Sequence, residues 1–201
     1  LSRTVSCSQE HIEEVGRVVK GGGVVVFPTD TVYGIGCNPY DKAAIEKIYR
    51  IKQRDGRKPL PVLARSASDL ETVAEFSDTA KKIAQKFWPG QVTLLLGLAD
   101  RKIGESLGIA EKIAVRVPGG ACVSAILQRC GLLVGTSANM SGEEPITDPE
   151  LVVRRVHGYD ILVDGGTIVG RGESTIVDVT SADVRILREG AIRQQEILDA
   201  L

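Results

Sequence analysis

A run of small and branched apolar residues, Gly23-Val24-Val25-Val26-Phe27, passes without a break into Pro28-Thr29-Asp30-Thr31-Val32-Tyr33-Gly34, a turn of hydroxyls, a carboxylate, a phenol and a glycine. Valines in such a run read as a buried strand. The polar groups that follow are then delivered to the end of that strand, where open α/β sheets place their ligand-binding atoms. A basic segment, Lys52-Gln53-Arg54-Asp55-Gly56-Arg57-Lys58, follows shortly after and is expected to wall the same site.

Helix-like and strand-like segments alternate through the rest of the chain. Ser8 is a candidate N-cap for a helix with Ile12, Val15, Val18 and Val19 apolar, stopped by Gly21-Gly22-Gly23, and Asp41 for a second with Ala44, Ile45, Ile48 and Ile51 on one face. Further helices are expected near residues 68–76, 78–87, 122–130, 148–156 and 194–201, and strands near residues 92–98, 113–118, 132–135, 161–163, 174–179 and 184–187. Residues 60–64 are apolar, but Pro61 has no N–H for a ladder, which predicts an edge or bulged strand. Residues 99–112 read as an irregular surface excursion and residues 165–172 as a flexible glycine-rich loop. Trp88, just before Pro89-Gly90, reads as a core plug. The alternation predicts one α/β domain over residues 1–201, an open twisted sheet with helices on both faces. Its strand directions are mixed, because some connections are too short for crossovers.

The net charge of −1 gives no global attraction for nucleic acid, so anion binding has to come from local clusters such as Lys47, Arg50, Lys52, Arg54, Arg57 and Lys58. No apolar run approaches a membrane span and no signal-peptide pattern is present, which predicts a cytoplasmic protein. The four cysteines form no CxxC pair, and with only two histidines they make no zinc-type ligand set. Cys7, Cys37, Cys122 and Cys130 are expected as isolated, reduced thiols, and no resident metal is expected.

Four groups fall at strand ends: Thr29, Thr31 and Tyr33; Arg116; Thr136, Ser137, Asn139 and Ser141; and Ser174 and Thr175 with Arg188. Hydroxyl, amide and guanidinium donors together are what a polyphosphate or a carboxylate needs. There is no Walker loop, and His11 and His157 stand apart from any Ser/His/Asp arrangement. The chemistry therefore points to positioning and electrostatic stabilisation rather than covalent catalysis.

Five strings, in order, carry a family resemblance: Phe27-Pro28-Thr29-Asp30-Thr31-Val32-Tyr33-Gly34, Lys52-x-Arg54, Ser137-x-Asn139, Ser174-Thr175-Ile176-Val177-Asp178 and Leu187-Arg188-x-Gly190. Over nearly the whole chain they resemble the YrdC/TsaC family of threonylcarbamoyl-AMP synthases, in its short form without the extra C-terminal domain. The resemblance implies an open twisted α/β sheet with a cationic cavity. It also implies a nucleotidyl transfer in which L-threonine, bicarbonate or CO2, and ATP with Mg2+ give threonylcarbamoyl-AMP and pyrophosphate. The product would pass to a separate tRNA threonylcarbamoyl transferase complex.

By the same resemblance Thr31, Arg116 and Thr175 fall near threonine. Lys52, Arg54, Lys58, Ser137, Asn139, Ser141 and Arg188 fall near the nucleotide, with Lys52 and Arg54 as the groups that neutralise the reacting phosphates. Leu63 stands where some relatives have a histidine, and Lys112 where several have a threonine. Two alternatives stay open on sequence alone: an RNA-binding protein without catalysis, its basic segment tracking phosphates, and a relative that makes a carbamoyl adenylate from carbamoyl phosphate.

Overall fold

The computed structural model describes residues 2–170, 172–181 and 183–201. β1 (Arg3–Ser6) leads to α1 (Gln9–Lys20), whose first turn is capped by the Ser8 hydroxyl accepting from the His11 N–H. Ile12, Val15 and Val19 form its buried stripe, and Gly21 ends it. β2 (Val25–Pro28) returns as β3 (Tyr33–Cys37), every residue of both buried. α2 (Lys42–Lys52) starts at an Asp41 cap and buries Ala44, Ile45 and Ile48.

β4 (Val62–Leu63), α3 (Ala67–Leu70) and β5 (Ala74–Glu75) are short, and α4 (Asp78–Phe87) is capped by Ser77. Next come β6 (Val92–Leu98), α5 (Arg101–Leu107), β7 (Lys112–Arg116), α6 (Ala121–Cys130) and β8 (Leu133–Ser137). α7 (Pro149–Arg155) has proline in its first turn, where no N–H is needed. β9 (Ile161–Asp164), β10 (Thr175–Asp178), β11 (Arg185–Arg188) and α8 (Gln194–Leu198) complete the order.

The strands join in one mixed sheet, in the order β1-β9-β2-β3-β8-β4-β7-β6-β10-β11, with β5 paired to β6 off this path. Strand alternation sorts its residues into two cores. Val24, Val26, Val62, Val134 and Leu162 face the larger one, beneath α2, α4, α5 and α7, while Val25, Phe27, Leu63, Leu133, Ile161 and Val163 face the smaller one, beneath α1 and α6. Helices thus cover both faces, which is why the strands read as continuous apolar runs. The parallel pairs β4/β7 and β6/β10 and the antiparallel pairs β3/β8 and β10/β11 bring the functional strand ends to one side.

Several expectations are corrected. β4 is an interior strand between β7 and β8 rather than an edge. Pro61 is accommodated because it precedes the ladder and contributes only its carbonyl, which accepts from the Gly135 N–H at 2.9 Å. Residues 99–112 are not irregular: Asp100 caps α5, Ile103 and Leu107 are buried one turn apart, and Gly108 closes it in the left-handed region at φ 67°. The helix expected over residues 68–76 shrinks to one turn, and β1 and β3 appear where no strand was foreseen. Cys7 and Cys122 are not isolated thiols but a disulfide joining the start of α1 to the start of α6; Cys37 and Cys130 are free.

Candidate active site

The ends of β3, β4, β6, β7, β8, β10 and β11 surround a cavity of about 300 Å³. Its apolar wall includes Leu63, Leu95, Ala114 and Ile176, and its polar wall carries Arg54, Arg116 and Arg188 with the hydroxyls of Thr29, Thr31, Thr93, Thr136, Ser137 and Ser174. One carboxylate, Glu173, stands among these described lining residues.

At one end, Arg116 closes β7 and is only 7% exposed. Its Nε donates to the Gly90 carbonyl at 2.8 Å, Nη1 to Thr31 Oγ1 at 3.3 Å and Nη2 to Asp30 Oδ1 at 2.6 Å. Burial lowers the guanidinium pKa and Asp30 opposes that shift, so the buried charge is matched rather than orphaned. Thr31 Oγ1 also lies 2.9 Å from Thr29 Oγ1. The turn is braced from outside: Gln91 Nε2 donates to the Asp30 carbonyl at 2.8 Å, and Gly119 packs so closely on the Asp30 carboxylate that a Cβ there would meet it at 3.1 Å.

At the other end, Gln53 takes a left-handed conformation at φ 48° as the C-cap of α2 and turns Arg54 into the cavity. Arg54 Nε donates to the Lys58 carbonyl at 3.1 Å and Nη2 to the Pro59 carbonyl at 3.2 Å, so the basic loop folds back to hold its guanidinium. Arg188, closing β11, donates Nη2 and Nε to the Ser174 carbonyl at 2.8 and 3.1 Å and Nη1 to Glu173 Oε2 at 2.8 Å. Ser174 Oγ lies 2.9 Å from Thr93 Oγ1.

Of the residues proposed from sequence, Thr31, Arg54, Arg116, Ser137 and Arg188 line this cavity. Lys52 does not: its side chain is 1% exposed, and Nζ donates to the carbonyl of Ser137, the carbonyl of Asn139 at 2.6 Å and Asn139 Oδ1 at 3.4 Å. All three ammonium N–H groups are committed, leaving none for a phosphate. Burial and then Arg54 pull its pKa down to about 8. Asn139 turns its amide the other way, to the carbonyls of Glu143 at 2.7 Å and Met140 at 3.1 Å. The Lys-x-Arg and Ser-x-Asn pairs therefore divide their labour: Arg54 and Ser137 face the cavity, while Lys52 and Asn139 latch the loop beneath.

Thr175 is displaced in the same sense. It is fully buried and its hydroxyl donates to the Ile192 carbonyl and accepts from the N–H groups of Gly190 at 3.0 Å and Ile192 at 3.1 Å. The neighbouring Ser174 is the cavity residue. Lys58 and Ser141 are exposed and outside the lining residues, and Tyr33 is buried with its hydroxyl on the Gly166 carbonyl at 2.8 Å. Lys112 also stands apart, paired with Asp178 at 3.2 Å. Sequence reasoning missed Thr93 and Glu173; a lone hydroxyl inside the apolar run of β6 was the available signal for Thr93.

A second hollow of about 390 Å³ lies beside Phe76 and Trp88, whose rings meet edge to face at 6.1 Å. Trp88 is half-buried: it packs against the larger core, donates Nε1 to the Val92 carbonyl at 2.6 Å, and also lines this hollow, so the expected core plug is met only in part. Among the described residues there is no group of three His, Cys, Asp or Glu side chains suited to a metal, and no helix long and apolar enough to cross a membrane.

The model of the Sua5, YciO and YrdC family, described as telomere recombination, matches residues 17–190. A Pyrococcus abyssi protein named threonylcarbamoyl-AMP synthase is 32% identical over 94% of this chain and 58% of its own length. A Methanocaldococcus jannaschii protein provisionally given the same name is 32% identical over 92% of this chain and 88% of its own. The crystal structure of P. abyssi Sua5 complexed with L-threonine superposes with a TM-score of 0.88 at 30% identity, covering 100% of this chain and 60% of that one. The chain thus spans little more than half the length of the two P. abyssi matches. By the extent of the matched domain, and by the sheet and strand-end residues that fill it, this chain belongs to the Sua5/YciO/YrdC family.

Proposed function

We propose that this protein is an L-threonylcarbamoyladenylate synthase, a nucleotidyltransferase that joins L-threonine, bicarbonate or CO2, and ATP. The observation that carries the reading is the convergence of Arg54, Arg116 and Arg188 with six hydroxyls on one cavity of mixed apolar and polar wall. Two curated relatives bearing the synthase name and a related structure holding L-threonine support the same choice of substrate.

Arg116 with Thr31 suits the amino-acid carboxylate, because a guanidinium already fixed on three sides still has N–H groups free to donate in a fork. Arg54, Arg188 and Ser137 suit the phosphates. The threonine amine loses a proton and takes up CO2 as a carbamate; a carbamate oxygen attacks the α-phosphorus as its bond to the bridging oxygen breaks and pyrophosphate leaves. Charge gathers on phosphate oxygens, where fixed guanidinium groups act most strongly. Mg2+ enters with the nucleotide as part of the substrate, since the one lining carboxylate is held by Arg188 and no metal cluster stands among the described residues. The product would go to a tRNA threonylcarbamoyl transferase complex.

The test is mass spectrometry of the products formed by purified protein from ATP with bicarbonate and threonine, and separately with carbamoyl phosphate. Threonylcarbamoyl-AMP from the first set is expected. A carbamoyl adenylate from the second set would replace the reading with its enzymatic rival. RNA binding with steep salt dependence and no ATP consumption would replace it with a non-catalytic one.

A further inference from the structure

The cavity presents three guanidinium groups to an anion, yet it also contains a carboxylate that none of the proposed chemistry uses. Glu173 Oε2 accepts from Arg188 Nη1 at 2.8 Å, and the two side chains are 35% and 37% exposed, so the pair sits at the cavity rim within reach of a ligand. Arg116 already has its own counterion in Asp30, and Arg54 holds only backbone carbonyls. Arg188 is therefore the one lining guanidinium whose charge is met by an acid that also faces the cavity. Glu173 also acts electrostatically on both Lys52 and Arg54, favouring their charged forms.

The position of Glu173 is fixed by its backbone. Its carbonyl accepts from the Ala191 N–H at 2.8 Å, and Gly190 lies so close that a Cβ there would meet that carbonyl at 2.2 Å. Gly172, at φ 99°, supplies the turn into it. The carboxylate can swing by side-chain rotation while its Cα stays at the rim.

We infer that Glu173 sets the anion affinity of the cavity: it holds Arg188 in an internal ion pair, and a polyphosphate binds by exchange, taking Arg188 from the carboxylate. This rests on the reading of the cavity as a polyphosphate site. Small anions that offer too few contacts to displace the carboxylate are discriminated against, because they meet its repulsion without the compensating grip on Arg188. A nucleotide triphosphate, reaching Arg54 and Arg188 together, completes the exchange.

Calorimetric titration of inorganic tripolyphosphate into wild type, Glu173→Gln, Arg188→Gln and the double variant tests this, with thermal melts confirming that each variant folds. Glu173→Gln is expected to bind about three- to tenfold more tightly than wild type, the scale of a charge-assisted contact released from competition at a half-exposed site. In the Arg188→Gln background that gain should fall to the small part due to charge repulsion alone, clearly below the gain seen with Arg188 present. Unchanged or weaker binding by Glu173→Gln, or a gain that is undiminished without Arg188, overturns the exchange while leaving the polyphosphate site standing. Absence of binding by all four proteins overturns the polyphosphate reading and the exchange with it.

Discussion

Lys52 Nζ lies 2.6 Å from the carbonyl oxygen of Asn139, and the Ser141 N–H returns a bond to the Lys52 carbonyl at 2.9 Å. The last turn of α2 and the loop after β8 are thereby stapled to each other in both directions. The consequence is that Ser137, at the end of β8, is presented to the cavity by a lysine that never enters it.

Removing either half of that staple should act on the loop rather than on the substrate. Lys52→Ala leaves buried carbonyls without a donor, and Asn139→Ala frees the turn at Met140 and Glu143. Each is expected to lower turnover at least about tenfold and to lower the melting temperature, the mark of a lost buried hydrogen bond of about 1–3 kcal/mol. The double variant should cost less than the sum, because the two residues act as one unit. Full additivity in a double-mutant cycle of pyrophosphate release would show that they act separately.

Arg54→Ala should look different. Its guanidinium is held by two backbone carbonyls at the cavity wall, so the fold depends on it little. Turnover is expected to drop at least about tenfold, as for one lost charge-assisted contact, with a melting temperature within a degree or two of wild type. A large loss of stability with unchanged kinetics would reverse the roles assigned to Lys52 and Arg54.

Two neighbouring hydroxyls, Ser174 just before β10 and Thr175 at its start, separate structure from chemistry. Thr175→Val removes the acceptor of two loop N–H groups and the donor to Ile192 in a fully buried site, and should cost about 1–3 kcal/mol in denaturant titration. Ser174→Ala breaks one buried bond, to Thr93, rather than three, so it should cost less stability than Thr175→Val while raising the KM for ATP or threonine. Equal stability losses would contradict the distinction.

The pH profile carries a signature of Lys52. Its folded pKa, about 8, lies below the 10.5 of an ordinary lysine. Between those values the folded chain binds fewer protons than the unfolded one, so this group's contribution to stability rises with pH. Activity should do the opposite, falling above about pH 8 as the amine loses the third N–H of the staple. A rate that stays level to pH 10 would show that the ammonium is not needed.

Much of the site was legible because strand ends and turn chemistry are local. The valine run of β2, the caps Ser8 and Asp41, and the polar strings after β2 and β8 all lie where the sequence suggests. What sequence does not encode locally is which way a polar side chain turns. Lys52 and Arg54 are two residues apart, yet one is buried under a loop and the other lines the cavity, because α2 ends between them at Gln53. Ser174 and Thr175 point to opposite faces for the same period-two reason that sorts Val25 from Val26. The Cys7–Cys122 disulfide was illegible because its partners are 115 residues apart and meet only through the packing of α1 on α6. Pro61 misled because a missing N–H matters only when the ladder needs one there.

The account stands most directly on where a nucleotide and an amino acid settle together. A crystal structure of the chain with a non-hydrolysable ATP analogue and L-threonine should place phosphate oxygens about 3 Å from Arg54 and Arg188 and the threonine carboxylate at a similar distance from Arg116. A nucleotide lodged in the hollow beside Phe76 and Trp88, with the strand-end cavity left to solvent, would contradict it.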